Sequence, residues 1–113
     1  MRWRRVSDDQ IVRWEAAAEK DDMCALLCLA KVAYYKPDFN EAEALWRRAV
    51  ELGSTEAMHR LGLLLIKRDD KLEGEAVLRR GALEGDQEAI AALAQFLEFE
   101  GRTSESDEWY GKI

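Results

Sequence analysis

Proline is almost missing from this chain of 113 residues: Pro37 is the only one. Long stretches are therefore open to helix, because little interrupts the backbone hydrogen-bond ladder. Histidine is as scarce, with His59 alone, so chemistry that needs several imidazoles is excluded. The two cysteines, Cys24 and Cys28, lie four residues apart. On one helix that spacing suits neither a loop-closing disulfide nor a complete zinc site, and both are expected to be reduced in a cytoplasmic chain. No apolar run approaches the ~20 residues that cross a bilayer. The opening MRWRRVSDDQ carries arginines with no apolar segment behind them, so it does not read as a secretory or twin-arginine signal. Positive charge is also in deficit, with 17 Lys and Arg against 23 Asp and Glu and a net charge of −6. Phosphate backbones need clustered cations, so neither nucleic acid nor membrane is expected as a partner.

What is present is a repeat. Trp46–Gly62 reads WRRAVELGSTEAMHRLG, and 32 residues later Leu78–Ala94 reads LRRGALEGDQEAIAALA. A fainter copy, WEAAAEKDDMCALLCLA, occupies Trp14–Ala30. The copies keep a bulky anchor (Trp14, Trp46, Leu78, then Tyr110) and a small residue three positions on (Ala17, Ala49, Gly81). Further along come Ala25, Ala57 and Ala89, then Leu29, Leu61 and Leu93, each followed by another small residue. A fixed period of this length marks stacked helical repeats. At this chain length roughly 65% of the unfolded surface is buried on folding, enough for a continuous core.

Capping signals divide the chain. Residues 1–6 read as a lead-in. Ser7 with Gln10 opens a first helix reaching about Lys20, and Asp22 opens a second that must stop before Pro37. Asp38 with Glu41 opens a third up to Leu52, where Gly53 suits a left-handed cap. Ser54 opens the fourth, to about Lys67. Asp70 with Glu73 opens the fifth, and Asp86 opens the sixth, which ends at Gly101. Thr103 or Ser104 begins a seventh. The expectation is an all-α fold, an α-solenoid of antiparallel helix pairs in one domain over 1–113. Its pairs would span 8–36, 39–67 and 71–100, with a terminal helix over 104–113, making three and a half repeats. Glu43–Arg47 and Glu75–Arg79 are i,i+4 pairs, and the arginine doublets Arg47-Arg48 and Arg79-Arg80 read as solvated faces.

The string EAEALWRRAVELG (Glu41–Gly53) followed by STEAMHRLGLLL (Ser54–Leu65) resembles the tetratricopeptide-type repeats, and in particular their Sel-one-like branch. The resemblance covers about residues 14–112. It implies a protein-interaction module, an adaptor or scaffold rather than an enzyme. It also implies that the inner surface lies on the helices opened by Asp22, Ser54 and Asp86. Removing the packing positions leaves a stripe on each: Leu27, Lys31, Tyr34 and Tyr35; His59, Leu63, Ile66 and Lys67; Ala91, Gln95, Glu98 and Phe99. A mixed apolar and charged groove of this kind suits a peptide or a partner's helix. Leu63 and Ile66 fit equally the core of a small, tightly curved stack. No cofactor and no metal are expected, since Cys24, Cys28 and His59 are the only soft donors and nothing brings them together. There is no phosphate loop, nucleophile elbow or H-E-x-x-H to carry catalysis. Trp3 and Trp14 at one end and Trp109 and Tyr110 at the other raise the alternative of a self-associating structural unit.

Overall fold

A computed structural model describes residues 6–113, and residues 1–5, including Trp3 and most of the lead-in, lie outside it. Among the described residues there are seven α-helices and no strand: α1 (Asp8–Ala18), α2 (Met23–Tyr35), α3 (Phe39–Glu51), α4 (Thr55–Lys67), α5 (Lys71–Leu83), α6 (Gln87–Phe99) and α7 (Thr103–Tyr110). Each end falls within about two residues of its capping signal, except that the last helix stops at Tyr110, short of residue 113. The caps explain the agreement. Ser7, Asp22, Asp38, Ser54 and Asp70 each accept a hydrogen bond from the backbone N–H two or three residues on. These bonds satisfy amides that a helix start leaves without a partner. Asp86 is the exception. It holds the capping position of α6, but its side chain makes no capping bond and its Oδ2 is buried without a hydrogen-bond partner.

The turns are short because one residue serves two helices. The N–H groups of Asp22, Asp38, Asp70, Asp86 and Arg102 bond back to the carbonyls of Ala17, Ala33, Leu65, Gly81 and Leu97. Each of these donors closes the preceding helix and is also the N-cap of the next, which leaves three or four residues between helices. Within each unit, links this short hold consecutive helices antiparallel. Except at Asp38, which Pro37 precedes, these turns place a left-handed residue just before the shared cap. Gly101 supplies it with φ +80, but so do Asp21 (φ 60) and Asp69 (φ 68), where no glycine flags the position.

The helices divide into two compact units, one ending at Gly53 and the other running Ser54–Ile113. The first holds α1–α3. Its core is Leu26, Ala30, Ala33, Ala42 and Ala49, all at 4% exposure or less, closed by Trp46. The Trp46 ring lies 5.8 Å from Tyr34, which also meets Phe39 at 5.3 Å. The Arg48 guanidinium donates to the Ala18 carbonyl at 2.7 Å and to Asp21 Oδ1 at 2.8 Å. Arg48 thus ties α3 to the open end of α1 and is no mere solvated cation. Arg47 does pair with Glu43, four residues before it, at 2.9 Å.

The second unit holds α4–α7. Here α4 and α5 touch backbone to backbone, since a Cβ on Gly74 would stand 2.9 Å from the Gly62 carbonyl oxygen. Leu78 and Ala82 of α5 pack under Ala89, Ile90 and Leu93 of α6, with Trp109 of α7 at the edge. Ser106 is buried and donates its hydroxyl to the Ala94 carbonyl at 2.9 Å, seating α7 on α6.

Four charges lock α7 to α5. Arg79 donates to Glu75 and Glu105, and Arg102 donates to the same two carboxylates, at distances from 2.6 to 3.0 Å. Hydrogen bonding by Arg102 holds the Glu75 carboxyl below its ordinary 4.5, and hydrogen bonding by Arg79 does the same for Glu105. A carboxylate with a folded pKa below its unfolded value stabilises the fold above the unfolded pKa. That contribution fades as pH drops through the folded one. Arg102→Gln is therefore expected to melt below the parent protein at pH 7. The difference should narrow as pH is lowered from 4.5, and thermal melts across an acid series check it. A gap that stays constant through the acid range would show that the quartet is not titrating as a unit.

Candidate functional site

Within the second unit, α4 and α6 lie side by side and leave a trough between them. At one end is a cavity of about 410 Å³ lined by Leu63, Ile66, Ala92, Gln95, Phe96 and Phe99, with Lys71 and Glu100 at its rim. At the other, a cavity of about 320 Å³ is lined by His59, Leu63, Glu88, Ala91, Ala92, Gln95 and Tyr110. Leu63, Ala92 and Gln95 belong to both, so the two cavities are continuous. Helical geometry explains the alignment. His59, Leu63 and Ile66 are spaced i, i+4, i+7 on α4, as are Ala92, Phe96 and Phe99 on α6.

A polar pair stands at each end of the trough. Lys71 Nζ lies 3.6 Å from a Glu100 carboxylate oxygen. His59 Nδ1 lies 3.1 Å from Glu88 Oε2, without the alignment of a hydrogen bond. Between these pairs the walls are apolar except for Gln95, and two large side chains stand open to solvent: Leu63 at 42% exposure and Phe99 at 91%. An exposed phenylalanine beside an exposed leucine leaves apolar area uncovered that burial would stabilise by roughly 25 cal/mol per Å².

The sequence-derived residues separate into three groups. His59, Leu63, Ile66, Gln95 and Phe99 come together along the trough. Lys67 and Glu98, on the same two helices, are exposed but do not line it. Lys31, Tyr34 and Tyr35 belong to the first unit. There Tyr34 is half-buried in the Trp46 cluster, Tyr35 is exposed with its ring edge-on to Tyr34 at 5.5 Å, and Lys31 is exposed. Sequence reasoning missed Ala92, Phe96, Lys71, Glu88, Glu100 and Tyr110. Ala92 and Phe96 were legible in principle, because they continue the Phe99 stripe one position over from Ala91, Gln95 and Glu98. Lys71 and Tyr110 sit on other helices, and no spacing along α4 or α6 could place them.

Among the described residues no cluster of three His, Cys, Asp or Glu could hold a metal ion, and no helix is long and apolar enough to cross a membrane. Cys24 and Cys28 form no disulfide. No protein-family description and no curated protein matches the chain. Among solved structures, the crystal structure of MamA superposes with a TM-score of 0.70 at 17% sequence identity. The match covers 80% of this chain and 56% of MamA, so the chain spans little more than half of that protein's length. The fold is tetratricopeptide-like. At this identity the likeness is one of fold alone.

Proposed function

We propose that this chain is a non-enzymatic interaction module, an adaptor or scaffold, that holds an amphipathic helix of a partner protein in the α4–α6 trough. One observation carries the reading: Phe99 and Leu63 stand open on either side of a largely apolar trough with a polar pair at each end. From His59 to Ile66 the wall is about 10 Å long, two helical turns. That length suits a ligand presenting apolar side chains at i, i+4 and i+7. The largely apolar lining favours apolar anchors over a terminal carboxylate or a strongly charged peptide. The repeat signature of Glu41–Leu65 supports the Sel-one-like branch, and two cysteines outside any disulfide suit a reducing, cytoplasmic setting.

The test is a display library of helical peptides selected against the immobilised chain, with each ligand re-measured on Phe99→Asp and Leu63→Asp. Selected peptides should carry apolar residues at the stated spacing and lose at least about tenfold in affinity on either variant. Both variants should keep the parent's helical signal and melting point, because the altered side chains are exposed. A library without ligands, or ligands indifferent to both changes, would overturn the reading.

A further inference from the structure

Helix α5 carries apolar side chains that its own packing does not use. Gly74, Leu78, Gly81 and Ala82 are buried against α4 and α6. On the opposite face Leu72 is 86% exposed and Leu83 is 78% exposed. Between them Ala76 is exposed and Arg79 half-buried, its guanidinium turned aside to Glu75 and Glu105. The four residues are spaced i, i+4, i+7 and i+11, so they form one stripe along the helix. The 32-residue register does not call for these leucines, since the same slots in α3 read Asn40, Ala44, Arg47 and Glu51.

We infer that this stripe pairs with the same stripe of a second copy of the chain, the two α5 helices running antiparallel about a two-fold axis. The spacing selects the occupant. Intervals of four, three and four residues read the same in either direction, so turning the helix end for end sets Leu72 against Leu83 and Ala76 against Arg79. A two-fold contact requires such self-complementarity, whereas a contact with some other helix does not. Parallel pairing would set Arg79 against Arg79. Antiparallel pairing instead lays each arginine stem on a small Ala76. Charge on the flank agrees. Glu73 and Arg80 stand on one side of the stripe, each one residue after a stripe position. In the antiparallel arrangement that side meets its own copy, and Glu73 of either chain comes within about 3 Å, along the axis, of the level of Arg80 of the other. Two opposite-charge pairs then border the leucines. The contact is short, one helix of 13 residues from each copy, so the dimer is a weak one beside standard interfaces of ~1,600 Å².

Sedimentation equilibrium of the full chain, loaded from about 1 μM to about 1 mM, tests this. A monomer–dimer equilibrium is expected. Leu72→Glu and Leu83→Glu should each raise its dissociation constant at least about tenfold. Neither should move the melting point of the dilute chain, because both side chains are exposed. Glu73→Arg and Arg80→Glu should each weaken the dimer, and the double exchange should return it to within about threefold of the parent. That rescue reads the antiparallel pairing itself, which a merely structural role for either residue would not produce. A chain that stays monomeric at the highest concentration overturns the inference. So does a dimer indifferent to both leucine changes, or a double exchange that rescues nothing. A dimer lost on Phe99→Asp and kept on Leu72→Glu overturns it too, and places the contact in the trough.

Discussion

Replacing Trp46 by alanine is expected to cost about 3–5 kcal/mol of stability, the loss that follows truncation of a large buried aromatic. Trp46 is 3% exposed, and its ring is tilted at 49° against Tyr34, so removal opens a cavity and strips an aromatic partner together. Against a total stability of roughly 5–15 kcal/mol, that loss is large enough to lower the melting point by about 10 °C or more. Urea titrations by circular dichroism check it, with the midpoint moving and the slope nearly unchanged. Trp46→Phe should recover much of the loss by refilling part of the space. A cost below about 1 kcal/mol, the level of an ordinary surface change, would mean that the first unit is not built on this ring. Tyr34 belongs to the same cluster. A charge introduced there would disturb folding and would report little about binding, which is why Phe99 and Leu63 are the cleaner probes.

The second large effect is at the α4–α5 contact, where the sign is informative. Placing leucine at Gly62 is expected to destabilise by about 3 kcal/mol, the upper part of the range for overpacking. Its Cβ would stand 2.6 Å from Leu78 Cγ and 3.2 Å from the Gly74 carbonyl oxygen. Gly74→Ala makes the sharper case, because alanine favours a helix interior over glycine by about 1 kcal/mol. Here the alanine Cβ would meet Ile66 Cγ1 at 2.7 Å and the Gly62 carbonyl oxygen at 2.9 Å. Backbone cannot swing aside as a flexible side chain does, so the preference for alanine should be reversed into a net loss. Denaturant titration of both variants reads this directly, and a stabilised Gly74→Ala would show that the two backbones do not meet. Gly74 is also a residue that the repeat signature passed over, although a lone glycine inside a helical pattern is itself a signal of close approach.

The parts of the fold that were legible share one property: their causes lie within a few residues of their effects. A cap such as Ser54 bonds the amide of Ala57, three positions away, and a shared donor such as Asp70 bonds Leu65, five positions away. Helix boundaries were therefore readable even where the left-handed residue was Asp21 or Asp69 rather than glycine. The same holds for the anchors, since Trp46, Leu78 and the alanines beside them recur at a spacing that packing repeats.

Helix order, helix ends and the repeating core positions were thus determined by sequence alone, because hydrogen bonding along a helix is local and its period is constant. Tertiary structure alone decided where the chain divides into units and which faces remain open. Arg48 reaches a carbonyl 30 residues back, and Arg79 reaches a carboxylate 26 residues on, so neither role is written in the neighbouring residues. The trough depends on the same kind of fact. One position along a helix turns a side chain by about 100°, so only the docking of α6 beside α4 selects Phe96 rather than Glu98 to face it.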